Sequence, residues 1–222
     1  MFSRFVHLPS RRRSSERESA VVLVPQGRSS LYPFLVLILS LAIIHAPSFL
    51  LISEAPVKAD AVVLFVGGEG AREREAEQLI KEGFADYLII PAFGQIKKRG
   101  PDGKLETFSL KPRPQNENLN TSSSKLKTSS WLENTHIEVL RAKGLMENLG
   151  LSSALLVSSP YHMRRIKFIT GKFFNDSQAV GYLPTRYETA GKGFWLFNSD
   201  ERNFVLTEYT KIAWFFLYSS FL

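Results

Sequence analysis

Residues 31–53 read LYPFLVLILSLAIIHAPSFLLIS, 23 positions without one Asp, Glu, Lys or Arg. A helix needs about 20 such residues to cross a bilayer core. The run is apolar all round rather than along one stripe, which argues against a helix of a soluble core. In front of it lies a basic tail, residues 1–30, with Arg11, Arg12, Arg13 and Arg28. The positive-inside rule then predicts a single signal anchor with the tail in the cytoplasm and the following domain outside it. A cleaved signal peptide competes with this reading, since Ser53-Glu54-Ala55 has small residues at cleavage spacing. Pro56 directly after that cut, together with the long leading segment and the long apolar run, favours an uncleaved anchor. Val21–Val24 in the tail is too short to span.

The net charge of +7 loses its nucleic-acid meaning once it is divided along the chain. Residues 1–30 carry six basic and two acidic side chains, and residues 97–130 carry eight and three. The remainder is slightly acidic, so the excess sits on a tail and a loop and not on a folded face. No nucleic-acid partner is expected. The chain has no Cys, which excludes a disulfide framework, a thiolate metal site and a Cys nucleophile. His7, His45, His136 and His162 are too scattered to predict a metal site.

After the anchor, residues 54–222 alternate between two kinds of pattern. Asp60–Val66 (DAVVLFV), Tyr87–Pro91 (YLIIP), Ala154–Val157 (ALLV) and Ala179–Leu183 (AVGYL) are short apolar, β-branched runs. Such runs belong to strands buried on both faces, as in a parallel sheet. Between them, Ala71–Gly83, Asn134–Leu149 and Pro160–Phe173 read as helices, and Ser199-Asp200 reads as the cap of a last one. In that last helix Val205, Tyr209, Ile212, Ala213 and Phe216 form the apolar stripe, with Glu208 and Lys211 among its charged residues. Residues 95–130 break the pattern as a long polar, flexible insertion without periodicity. The fold class is therefore α/β, a three-layer sandwich around a mainly parallel sheet.

In such sheets ligands bind beyond the carboxyl ends of the strands, here 67–72, 91–95 and 158–165. The first end, Gly67-Gly68-Glu69-Gly70-Ala71-Arg72, offers glycines for close backbone approach and a helix N-terminus for an anion. A tight turn is the plain alternative, since it completes neither a Walker A motif nor a dinucleotide fingerprint. The third end, Ser158-Ser159-Pro160-Tyr161-His162-Met163-Arg164-Arg165, gathers hydroxyls, an imidazole and two guanidiniums. His162 and Arg165 share a helix face, and His162 serves either as acid or base or as a structural cap. Arg164 and Lys167 read as a solvated face. Thr135 and Glu138 sit at capping-box spacing; if they are functional instead, they face the same crevice. The ligand-binding candidates are Gly67, Gly68, Arg72, Thr135, Ser158, Ser159 and Arg165, and the catalytic candidates are His162 and Glu138.

These residues are where a family resemblance enters. From about Asp60 to Leu217 the chain resembles the YdcF-like group that includes the envelope proteins SanA and ElyC, a family without a defined biochemical activity. Its opening strand pattern is matched by Asp60-Ala61-Val62-Val63-Leu64-Phe65-Val66-Gly67-Gly68, and its next helix by Arg72 and Ala76. Its "NTxxEA" helix start is matched by Asn134, Thr135 and Glu138. The most specific piece is Leu155-Leu156-Val157-Ser158-Ser159-Pro160-Tyr161-His162-Met163-Arg164-Arg165-Ile166, and Glu208-Tyr209-Thr210-Lys211 matches its final helix. Ala92-Phe93-Gly94 departs from the usual Ser-Gly-Gly, and Glu69 replaces a glycine of the first turn. The resemblance implies a Rossmann-like domain with a polar pocket. It also implies a place in the bacterial inner membrane and a part in peptidoglycan or lipid-carrier metabolism.

Three functions follow as expectations. The leading one is an anchored envelope protein binding an anionic or phosphorylated small molecule or lipid-linked precursor, with hydrolase or transferase chemistry if it is an enzyme. The second is a scaffold or regulator working through its loop and anchor. The third is a nucleotide- or S-adenosylmethionine-binding enzyme facing the cytoplasm. The motifs assign no cofactor.

Overall fold

A computed structural model describes residues 31–67, 70–108, 130–191 and 195–221, with side chains from Thr135 onward in the third stretch. The tail 1–30, Gly68 and residues 109–129 of the insertion lie outside the described residues. The chain divides into two compact units, Met1–Ser40 and Leu41–Leu222. In the first, the described residues, 31–40, open helix α1, Leu31–Leu50, whose apolar side chains are mostly exposed, Pro47 and Leu50 being buried. By length and composition α1 can cross a membrane. It ends three residues short of the uncharged run.

The second unit is an α/β domain built on a six-stranded mixed sheet. Its strands are β1 (Ala61–Leu64), β2 (Tyr87–Ile90), β3 (Gln95–Arg99), β4 (Leu105–Thr107), β5 (Ser153–Ser158) and β6 (Ala179–Pro184), in the order β4-β3-β2-β1-β5-β6. The four strands read from sequence are the parallel ones: β1 pairs with β2 and β5, and β5 with β6. Every residue of β1 is buried, as an uninterrupted apolar run requires.

Side chains alternate between the two faces. On one face Val62, Leu64, Leu88, Leu155 and Val157 pack with Ala76, Leu79 and Ile80 of α2 (Ala71–Lys81). On the other, Val63, Ile89 and Leu156 meet Val139, Ala142 and Met146 of α3 (Ser130–Leu149) and Met163, Ile166 and Ile169 of α4 (Met163–Phe173). Each buried Val, Leu, Ile or Met contributes about 1.5–3 kcal/mol by leaving water. Helix α5 (Ser199–Ser219) rests chiefly on α3, α4 and the 3-10 turns Pro160–His162 and Trp195–Phe197, and it reaches the main core through Phe215, with Tyr218 packed against it.

Four expectations change. The sheet is less parallel than its apolar runs imply, because β3 and β4 add an antiparallel hairpin at one edge. Residues 95–107 are thus a β-hairpin rather than aperiodic loop. Only Ile96 of β3 is buried, and the edge itself is β4, only three residues long and carrying Glu106, as a strand does that resists sheet-to-sheet pairing. Gly100-Pro101-Asp102-Gly103 is the turn between these strands. Helix α3 starts at Ser130, so Thr135 lies inside it and is no cap. Asn198, not Ser199-Asp200, caps α5, accepting from the Asp200 and Glu201 amides. The inner face of α5 is Val205, Glu208, Ile212, Phe215 and Ser219, while Ala213 and Phe216 are exposed. Glu208, read from sequence as one of the helix's charged residues, is buried.

Candidate functional site

The chain leaves β1 toward β2 on one side and returns to β5 on the other, so the sheet's topological switch lies between β1 and β5. Loops after these strands part to opposite faces and leave a crevice at their carboxyl ends. Arg72 enters that crevice from α2, and His162 and Arg165 enter it from the junction of β5 and α4.

Arg72 is buried and nearly saturated. Its Nε donates to Ser159 Oγ at 2.8 Å, its Nη1 to the Phe65 and Val66 carbonyls at 3.1 and 2.9 Å, and its Nη2 to His162 Nδ1 at 3.2 Å. Gly67 makes this possible. It has φ +131°, and a Cβ placed there would lie 3.0 Å from Arg72 Nη1. The close approach expected at Gly67 is therefore made by an arginine side chain. Gly68 lies outside the described residues.

Arg165, also buried, forks onto Glu208: Nε to Oε2 at 2.8 Å and Nη2 to Oε1 at 3.1 Å. Its Nη1 donates to Thr135 Oγ1, which gives that threonine a role other than capping. Glu208 is 1% exposed. Its Oε1 also lies 3.3 Å from His162 Nε2 and 4.0 Å from Lys211 Nζ. A continuous polar chain therefore runs Ser159–Arg72–His162–Glu208–Arg165–Thr135 across the crevice.

His162 is neutral here. Burial, then Arg165, Arg72 and Lys211, push its pKa well below the ordinary 6.5. The Glu208 contact alone would favour the charged form, but that carboxylate is already shared with Arg165 and Lys211, and three cations outweigh it. With Nδ1 accepting from Arg72, the proton sits on Nε2, toward Glu208. Both ring nitrogens are thus engaged in holding the two arginines in register.

Glu138 behaves differently. Burial raises its pKa from 4.5 to about 7, against the pull of Arg72, Arg165 and Arg141. It is the group of this cluster that exchanges a proton near neutrality. Ser158 is fully buried, and its Oγ has no hydrogen-bond partner among the described residues.

Sequence reasoning missed two participants. Glu208 was legible as a helix charge and as part of the final-helix motif, but not as a member of the site. Glu188 lies in the segment after β6, where no pattern marks it. It accepts from Ser159 Oγ, and its Oε1 lies 3.7 Å from Arg72 Nε. That segment is pinned to α2 by Thr185 Oγ1 donating to the Ala71 carbonyl and by Arg186, which forks onto buried Glu75 at 2.9–3.0 Å. Among the described residues no group of three or more His, Asp or Glu is placed to hold a metal ion. A hollow of about 600 Å³ beside Asp86, Lys98, Arg99 and Glu106 lies at the opposite end of β2.

No family model, curated protein or solved structure matches this chain.

Proposed function

We propose that this chain is a bilayer-anchored, YdcF-like protein with a Rossmann-like domain. Its strand-end cluster binds an anionic, phosphorylated ligand in bacterial envelope biogenesis. The anchor is α1 at the inner membrane, and the domain faces the periplasm or exterior. The observation that carries the reading is the polar chain from Ser159 through Arg72, His162 and Glu208 to Arg165, laid across the switch point next to Ser158, whose Oγ has no partner among the described residues. The envelope context rests on the resemblance of the strand-end motifs.

The ligand's anion takes the place of the Glu188 carboxylate on Arg72 Nε and Ser159 Oγ, and Ser158 supplies a further hydroxyl. If the protein is an enzyme, the fitting class is hydrolysis or group transfer at a phosphorylated substrate, with Glu138 moving the proton. His162 then acts as a positioning residue. One observation favours a non-enzymatic scaffold instead: both guanidiniums already have carboxylate partners.

The test is calorimetric titration of the full chain in lipid nanodiscs with inorganic pyrophosphate. Saturable binding is expected, weakened at least tenfold by Arg72→Gln and unchanged by Lys98→Gln on the remote hairpin. A circular-dichroism melt of Arg72→Gln separates lost binding from lost fold. No saturable binding, or equal loss in both variants, rejects the anion site.

A further inference from the structure

We infer that the 3-10 turn Trp195–Phe197, with Phe204 of the helix α5 that packs against it, is a second membrane contact that seats in the lipid interface next to α1. This rests on the reading of α1 as a bilayer span. The argument begins at Pro47. Proline has no N–H, so inside a helix it leaves the carbonyl four residues earlier without its partner. Here that carbonyl belongs to Ile43, and the Trp195 indole donates to it at 2.9 Å. The unmet backbone acceptor of the apolar helix is thus satisfied by the domain.

The same stretch is tied down twice more. Tyr209 Oη donates to the Ala46 carbonyl at 2.9 Å. Arg164 Nε donates to the Phe49 carbonyl at 2.6 Å, with its guanidinium 4.5 Å from the Phe49 ring centroid. Leu50 is fully buried with Tyr161, Trp195, Val205 and Ile212. Arg164, read from sequence as solvated, is therefore a clasp on α1.

Length then decides the depth. At 1.5 Å per residue the 20 residues of α1 measure about 30 Å, the thickness of the hydrocarbon core. Ile43–Leu50, roughly 12 Å of that, is held by domain side chains. The residues before Ile43 measure about 18 Å, too little to span alone. For α1 to cross, the groups bound to Ile43 and its neighbours must enter the interface with it. Those groups suit that depth, since Trp and Tyr favour the headgroup level. Phe197, two residues from Trp195, is 87% exposed, and Phe204 is 54% exposed. Tyr161 of the same cluster precedes His162 directly and accepts from the Gly191 amide at 2.8 Å. The candidate site therefore adjoins the docked surface, which suits a ligand whose anionic head is presented from the membrane.

The absence of cysteine in the sequence allows clean single-site labelling. The full chain carrying Phe197→Cys, labelled with an environment-sensitive fluorophore, is reconstituted with phosphatidylcholine–phosphatidylglycerol vesicles. Asp176→Cys, on the exposed turn between α4 and β6, is the control. We expect the chain to float with the vesicles. The label at 197 should be blue-shifted and quenched by spin-labelled lipid, and the label at 176 should be in water. Flotation with the 197 label in water overturns the interfacial turn and leaves the span standing. Failure to float overturns both.

Discussion

At Glu138, burial outweighs three arginines and lifts the carboxyl to about 7. Between pH 4.5 and 7 the native state keeps a proton that the unfolded chain has released, so stability falls as pH rises through that window and stays lower above it. The penalty above pH 7 is about 3 kcal/mol. Glu138→Gln should remove this slope, raising the melting temperature at pH 8 and leaving it unchanged near pH 4; thermal unfolding at both pH values checks it. Deprotonation also adds a negative charge beside Arg72 and Arg165. Pyrophosphate itself gains charge over the same range, so the prediction is relative: from pH 6 to pH 8 the wild type should lose affinity severalfold compared with Glu138→Gln. Glu208 presents a different case, a buried carboxylate gripped by a bidentate arginine. Glu208→Ala leaves Arg165 buried without its counter-ion and should cost about 3–5 kcal/mol in denaturant unfolding. A loss below 1 kcal/mol would mean that the pair is not desolvated.

At the scale of elements, the parallel strands were legible because each is an apolar run buried on both faces. The helices between them were legible from one apolar stripe and a terminating glycine such as Gly83, with φ +80°. The hairpin β3–β4 was not. A strand with one buried side chain, Ile96 of β3, has no apolar run, and its Lys-Lys-Arg reads as loop. The start of α3 was misplaced because Asn134, Thr135 and Glu138 mimic a cap within a helix. The same contrast predicts energetics. Leu156→Ala in β5, fully buried against the α3–α4 layer, should cost about 3 kcal/mol or more. Leu105→Ala in edge strand β4 should cost under about 1 kcal/mol. Comparable losses in chemical denaturation would mean that the hairpin is part of the main core.

For the whole molecule, the switch between β1 and β5 brings together residues nearly ninety positions apart, and this is why the candidate site was only half readable. Arg72, His162 and Arg165 stand at strand ends, where the rule for α/β sheets points. Glu188 and Glu208 come from a patternless segment and a helix face, and only the folded chain shows that they already neutralise the arginines. The account consequently requires an incoming anion to displace Glu188. Glu188→Gln removes that internal rival and leaves the polar chain from Arg72 to Arg165 in place. The deciding measurement is the calorimetric affinity of this variant for pyrophosphate beside that of the wild-type full chain in nanodiscs. Affinity should rise about tenfold, the equivalent of about 1.4 kcal/mol. Unchanged or weaker binding in a variant that melts like the wild type would contradict an anion site on Arg72.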